Sequence, residues 1–176
     1  MTARIAILTV SDRAARGAYE DRGGPACEAW LREVITTPVE ILRQITEDGA
    51  APVAAALTDL ADTWGADLIL VTGGTGPAPR DRTPEGVAAV IDFDLPGFGE
   101  AMRAANLRVV ATAILSRQGA GVRGKTLIIT LPGSPNAIGS SLDAVFAAVP
   151  YCLDLIGAAR IETDPARIKA HRPKTA

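Results

Sequence analysis

At 176 residues, with 48% apolar side chains, the chain is long enough for one domain with its own core and needs no staple. Aromatics make up 4% and the formal charge is −2, which excludes the stacking platform and basic groove of a single-strand nucleic-acid binder and gives no reason to expect a polyanion partner.

Ile5-Ala6-Ile7-Leu8-Thr9-Val10 is a continuous apolar run, as expected of a strand covered on both faces. A polar loop, Ser11 to Gly24, follows. Pro25 then suits a first helical position, and the helix to about Ile35 turns Trp30 and Leu31 inward. Val39–Ile45 reads as a second strand ending in Thr46-Glu47-Asp48-Gly49, before an Ala-rich helix from about Ala51 to Trp64. Asp67–Thr72 is the third strand. Beyond a glycine loop, Thr83 is expected to cap a helix with Pro84 at its first position and Glu85 near its positive end. A helix over Phe98–Leu107, a short strand over Val109–Leu115 and a strand over Thr126–Leu131 come next. Ser134 is positioned to cap a further helix with Pro135 just inside it. A last helix runs from about Pro150 to Gly157.

Strands alternate with helices, so the expected fold is three-layer α/β/α with a largely parallel sheet. Residues 1–160 form the domain and 161–176 a polar C-terminal tail. Cys27 and Cys152 stand in no metal-ligand spacing and read as free thiols of a reducing compartment. The N-terminal apolar run is too short for a signal peptide, and no later run is expected to span a membrane. A cytoplasmic protein is expected.

Ligands of such sheets gather at the carboxyl ends of the strands. Four loops qualify: Ser11-Asp12-Arg13, Thr46-Glu47-Asp48, Thr72 to Asp81, and Pro132 to Asn136. Thr72-Gly73-Gly74-Thr75-Gly76-Pro77 sets three glycines directly after a strand, where backbone N–H groups can approach an anion, although a tight turn without a ligand would look the same. It is neither a Walker A loop, since no Lys-Ser/Thr follows, nor a dinucleotide fingerprint, so a generic kinase fits poorly. Asp81 is either an exposed loop acid paired with Arg80 or Arg82, or the partner of Asp48 at a shared site. Two carboxylates beside a phosphate loop are what Mg²⁺ requires. Asp12 is a third candidate that could equally cap its own loop. His171 is the one histidine and lies in the tail, which argues for a reaction that needs no histidine base. Phosphoryl or nucleotidyl transfer to an anionic nucleophile fits.

The glycine loop with Arg80-Asp81-Arg82-Thr83-Pro84 resembles the signature of the molybdopterin-binding domain family. Ser11-Asp12-Arg13-Ala14 with Asp21 and Gly23, Pro96-Gly97-Phe98-Gly99-Glu100, Ala113–Arg117, Leu131–Pro135, Val149–Cys152 and Arg172-Pro173-Lys174 extend the likeness over nearly the whole chain. Within that family the chain looks most like the adenylyltransferases. The resemblance implies Mg²⁺-dependent transfer of AMP from ATP to the terminal phosphate of molybdopterin, with release of pyrophosphate. It also implies a homotrimer and transient contact with other molybdenum cofactor biosynthesis proteins. The family's two important acids map onto Asp48 and Asp81, as catalytic and metal-binding residues, with Glu47 an alternative to Asp48. Ser11, Asp12, Thr72, Gly73, Gly74, Thr75, Gly76, Pro132, Gly133 and Ser134 would bind substrate or nucleotide. The segment between Asn136 and Val149 lacks an insertion that some members carry, which leaves open a molybdopterin-binding paralogue or scaffold without adenylylation.

Overall fold

The computed structural model describes residues 2–173; Lys174, the last residue of the tail motif, lies outside them. Six strands form one sheet: β1 (Ala3–Val10), β2 (Val39–Thr46), β3 (Leu68–Thr72), β4 (Phe93–Asp94), β5 (Ala120–Arg123) and β6 (Thr126–Leu131), in the order β2-β1-β3-β6-β5-β4. The first three and β6 are parallel. Every residue of β3 and β6 is buried, in keeping with their mostly apolar runs, whereas β2 lies at the edge and is only partly covered.

Helices cover both faces. Short α1 (Asp12–Ala15) follows β1. On one side, α2 (Gly23–Val34), α5 (Pro96–Leu107), α6 (Pro135–Val145) and α7 (Val149–Ile156) bring Leu31, Met102, Leu142 and Leu153 against Ile5, Ile7, Leu70 and Ile129. On the other, α3 (Ala50–Thr58) and α4 (Thr83–Ala88) bring Val53, Leu57 and Val87 against Leu8, Val71 and Ile128. The expected three layers are present, and the sheet is mixed.

Several elements depart from the sequence reading. β5 pairs antiparallel with both β6 and the edge strand β4, an edge that strand–helix alternation does not announce. Val109–Leu115 is no strand: Ala111–Leu115 is a 3-10 turn, with Val109 82% and Ile114 67% exposed. The Ala-rich helix ends in a π turn over Asp59–Thr63, closed by the Trp64 N–H donating to the Asp59 carbonyl at 3.0 Å. Contrary to the sequence reading, the 22-residue helical stretch Pro135–Ile156 is long and apolar enough to cross a membrane by length and composition. Its Ile138, Leu142, Phe146 and Leu153 are buried in the core. The segment expected as a tail is anchored: Ile161 and Ile168 join the core, and Arg172 pairs with Asp154 at 2.5 Å and with Glu162 at 3.1 Å.

Candidate functional site

The chain leaves β1 for β2 on one side of the sheet order and leaves β3 for β4, beyond β6 and β5, on the other. Loops that part in this way open a crevice beyond the strand ends. A cavity of about 290 Å³ lies there. Four strand ends line it, through Ser11 after β1, Asp48 after β2, Thr72, Gly73, Gly74 and Asp81 from β3 onward, and Gly133 after β6.

The glycine loop is shaped by two positive φ angles, 103° at Gly73 and 62° at Gly74. A Cβ on Gly73 would strike the Val10 carbonyl oxygen, and one on Gly74 would strike Thr83 Oγ1. The loop is tied to the end of β6, because Thr72 Oγ1 donates to the Pro132 carbonyl at 2.8 Å and the Gly73 N–H to that of Leu131 at 3.3 Å. Thr83 Oγ1 donates to the Gly73 carbonyl at 2.8 Å and so does not cap α4, where Arg82 holds the cap position without a side-chain bond. Among the described residues, the N–H groups of Gly74, Thr75 and Gly76 donate to no protein acceptor. That leaves three adjacent donors for an anion. Thr75, Gly76 and Pro132 face a second cavity of about 420 Å³, and Gly73, Gly74, Asp81 and Gly133 border both. The loop is a wall between them.

Asp48 and Asp81 therefore line one cavity, while Glu47 is exposed and does not. Asp12 stands behind Asp48: its Oδ1 accepts the Asp48 N–H, and Asp48 Oδ2 accepts the Asp12 N–H. The cap of α1 is Ser11, whose hydroxyl accepts the Ala14 N–H at 3.3 Å. The Asp81 carboxylate makes no hydrogen bond among the described residues and rests against Gly76, where a Cβ would come within 2.7 Å of Oδ2. Its backbone is held by Arg117, which donates to the carbonyls of Asp81 and, at 3.1 Å, Gly76, and pairs with Glu85 at 2.7 Å. The Arg117 hydrogen bond to Glu85 holds that carboxyl below its ordinary range. Ser134 occupies the cap position of α6, but its hydroxyl makes no cap bond, is exposed and lines neither cavity.

Sequence reasoning did not single out Tyr19 or Arg22, and named Arg13 and Arg80 merely as neighbours of other residues. All four line the first cavity. Asp21 also lines it, accepting from Thr9 Oγ1 at 3.1 Å and from the Gly24 N–H at 3.0 Å. Behind it, burial first and the Asp21 charge second push the Cys27 thiol up to about 12.

Comparison with known proteins points one way. A family described as a probable molybdopterin binding domain matches residues 6–151. Molybdopterin adenylyltransferase from Escherichia coli (strain K12) is 44% identical, the match covering 99% of this chain and 96% of that one. The protein of the same name from Helicobacter pylori (strain ATCC 700392 / 26695) is 47% identical, with 98% of each covered. Among solved structures, the molybdopterin biosynthesis Mog protein from Mycobacterium ulcerans superposes with a TM-score of 0.81 at 41% identity, covering 88% of this chain and 99% of that one.

Proposed function

This chain belongs to the molybdopterin-binding domain family, and from that premise we propose that it transfers AMP from ATP to the terminal phosphate of molybdopterin, releasing pyrophosphate. It is a nucleotidyltransferase of molybdenum cofactor biosynthesis. The observation that carries the reading is the convergence of Asp48, Asp81 and the Gly73–Gly74 turn on one crevice at the switch point of the sheet. The relatives' names favour the enzyme over a scaffold that merely holds the pterin.

The nucleophile is a phosphate oxygen already anionic at neutral pH, so no general base is required, and the site contains no histidine. The chain's task is to position two phosphates and offset their charge. The free N–H groups of Gly74, Thr75 and Gly76 suit phosphate oxygens. Among the described residues no three metal-ligating side chains gather, which does not fit a protein-built metal cage. It does fit Mg²⁺, which takes one or two carboxylates and completes its shell with phosphate and water. Asp48, through Oδ1, and Asp81 would hold it, and it would neutralise phosphate charge. Ser11, Asp12, Pro132, Gly133 and Ser134 complete the proposed substrate-binding set, Asp12 by holding Asp48.

We place the enzyme in the cytoplasm as a homotrimer that hands its product to other proteins of the same biosynthesis. In support of subunit contact, Leu107, Val109, Val110, Ile114 and Leu115 are exposed within nine residues of chain.

The test is turnover. Purified protein with molybdopterin and Mg²⁺-ATP should form adenylylated molybdopterin and pyrophosphate, and Asp81→Asn should slow this by about 10²-fold or more with the fold intact. Wild-type turnover by Asp81→Asn would remove the assignment.

A further inference from the structure

Most arginines of this chain already have an acceptor. Arg4, Arg16, Arg32, Arg43, Arg82, Arg117, Arg123, Arg160, Arg167 and Arg172 are paired with carboxylates, and Arg103 donates to the Gln118 carbonyl. Among the described residues the exceptions are Arg13, Arg22, Arg80 and Arg108, and the first three line the 290 Å³ cavity. Unpaired arginines scattered over a surface need no explanation. Three around one hollow, in a chain of net charge −2, do.

Two of them are also organised. The Arg13 guanidinium lies over the Tyr19 ring, 4.9 Å from its centroid, and that of Arg22 lies 5.8 Å from the same centroid. One aromatic ring thus gathers two like charges at the cavity mouth, an arrangement that cation–π attraction favours and their mutual repulsion opposes. The acids of the cavity are occupied elsewhere in part: Asp21 accepts from Thr9 and Gly24, and Asp48 from Asp12. Planar guanidinium forks match phosphate oxygens two at a time. A phosphomonoester has oxygens for one or two such forks, whereas a condensed phosphate chain has enough for three.

Building on the adenylyl-transfer reading, we propose that Arg13, Arg22 and Arg80 seat the pyrophosphate portion of the nucleotide, and that Tyr19 is a positioning residue for Arg13 and Arg22. In the transfer, an acceptor phosphate oxygen bonds to the α-phosphorus while the bond from that phosphorus to the bridging oxygen breaks. The electron pair leaves on pyrophosphate. The three guanidiniums offset that charge and surrender no proton.

Calorimetric titration of the full chain with inorganic pyrophosphate, and separately with orthophosphate, tests the seat without turnover. Wild type should prefer pyrophosphate by about tenfold or more, and Arg22→Ala or Arg80→Ala should weaken pyrophosphate by about tenfold, the loss of one charge-assisted contact. Arg22→Lys and Arg80→Lys, which keep the charge and lose the fork, should fall between. Tyr19→Ala should weaken it and Tyr19→Phe restore it. In turnover the same variants should raise KM for ATP and leave KM for molybdopterin unchanged. Equal affinity for orthophosphate, or a rise confined to KM for molybdopterin, would assign the arginines to the acceptor's phosphomonoester and overturn the proposal. Wild-type pyrophosphate affinity in all the arginine variants would overturn it as well. If pyrophosphate binds as expected but no AMP is transferred, the seat stands and the adenylyltransferase reading fails.

Discussion

Asp12 and Asp48 each accept the other's backbone N–H through a carboxylate oxygen, at 3.0 Å in both directions. The loops after β1 and β2 are thereby clasped together. Asp48 is presented to the cavity with Oδ2 engaged and Oδ1 uncommitted.

Replacing Asp12 with Ala removes the acceptor for the Asp48 N–H. For a partly exposed bond to a charged group the expected loss is about 1–2 kcal/mol, a fall in Tm of roughly 3–6 °C at this chain length. Turnover should fall further than stability, because Asp48 loses its register, and Asp12→Asn, which keeps an acceptor oxygen, should recover most of both. Scanning calorimetry beside a turnover assay checks this. Unchanged values for Asp12→Ala would mean that the clasp holds nothing in place.

Gly76→Ala separates stability from chemistry. Gly76 does not have a positive φ, so alanine suits its backbone, but the new Cβ would come within 2.7 Å of Asp81 Oδ2. A carboxylate at the end of a side chain swings aside at little cost. The expected variant melts within about 2 °C of wild type and turns over at least tenfold more slowly, by analogy with the loss of one preorganised group. Full activity would show that the position of Asp81 is immaterial.

Glu85 supplies a pH signature. Its carboxyl titrates below the ordinary range, first because Arg117 donates to it. A lowered value in the folded state means that the contribution is complete above the unfolded value of about 4.3 and is lost as pH falls through the lower folded one. The melting temperatures of wild type and Glu85→Gln should differ at neutral pH and converge at acid pH. A gap that persisted unchanged through that range would rule out the Arg117 pair as its source.

The thiols should be quiet. With Cys27 pushed up to about 12 by burial and then by the Asp21 charge, its thiol stays protonated at pH 8. Iodoacetamide should modify Cys27 only after unfolding, and half-buried Cys152, also raised by burial, should react slowly but first. Peptide mass spectrometry distinguishes the two sites, and rapid native labelling of Cys27 would contradict its burial.

Burial on both faces made β1, β3 and β6 legible, since a strand with little solvent contact is filled mostly by apolar side chains. The same logic misled at Val109–Leu115, where most of the large apolar side chains are exposed, because an apolar run in the sequence does not say whether the fold buries it. β4 and β5 escaped notice through brevity: two residues, and four that include Gly121, carry no readable alternation. Thr83 before Pro84 had the local features of a cap, yet its hydroxyl goes to the Gly73 carbonyl ten residues upstream. Asp48 and Asp81 could be named from their places after strands. Arg22 could not, because nothing local distinguishes it from arginines such as Arg32 that are paired on the surface.

The glycine loop borders two cavities through the same two residues, Gly73 and Gly74. Reactants lodged on its two sides would be separated by little more than the thickness of a peptide, without a side chain at Gly73 or Gly74 to act as a spacer. Coupling of their affinities would then have to pass through the loop. A ligand that stiffened the loop on arrival would improve the reception of the other, and reciprocity would make the gain identical in either order of addition. A single methyl group at this partition should therefore be felt by both substrates at once.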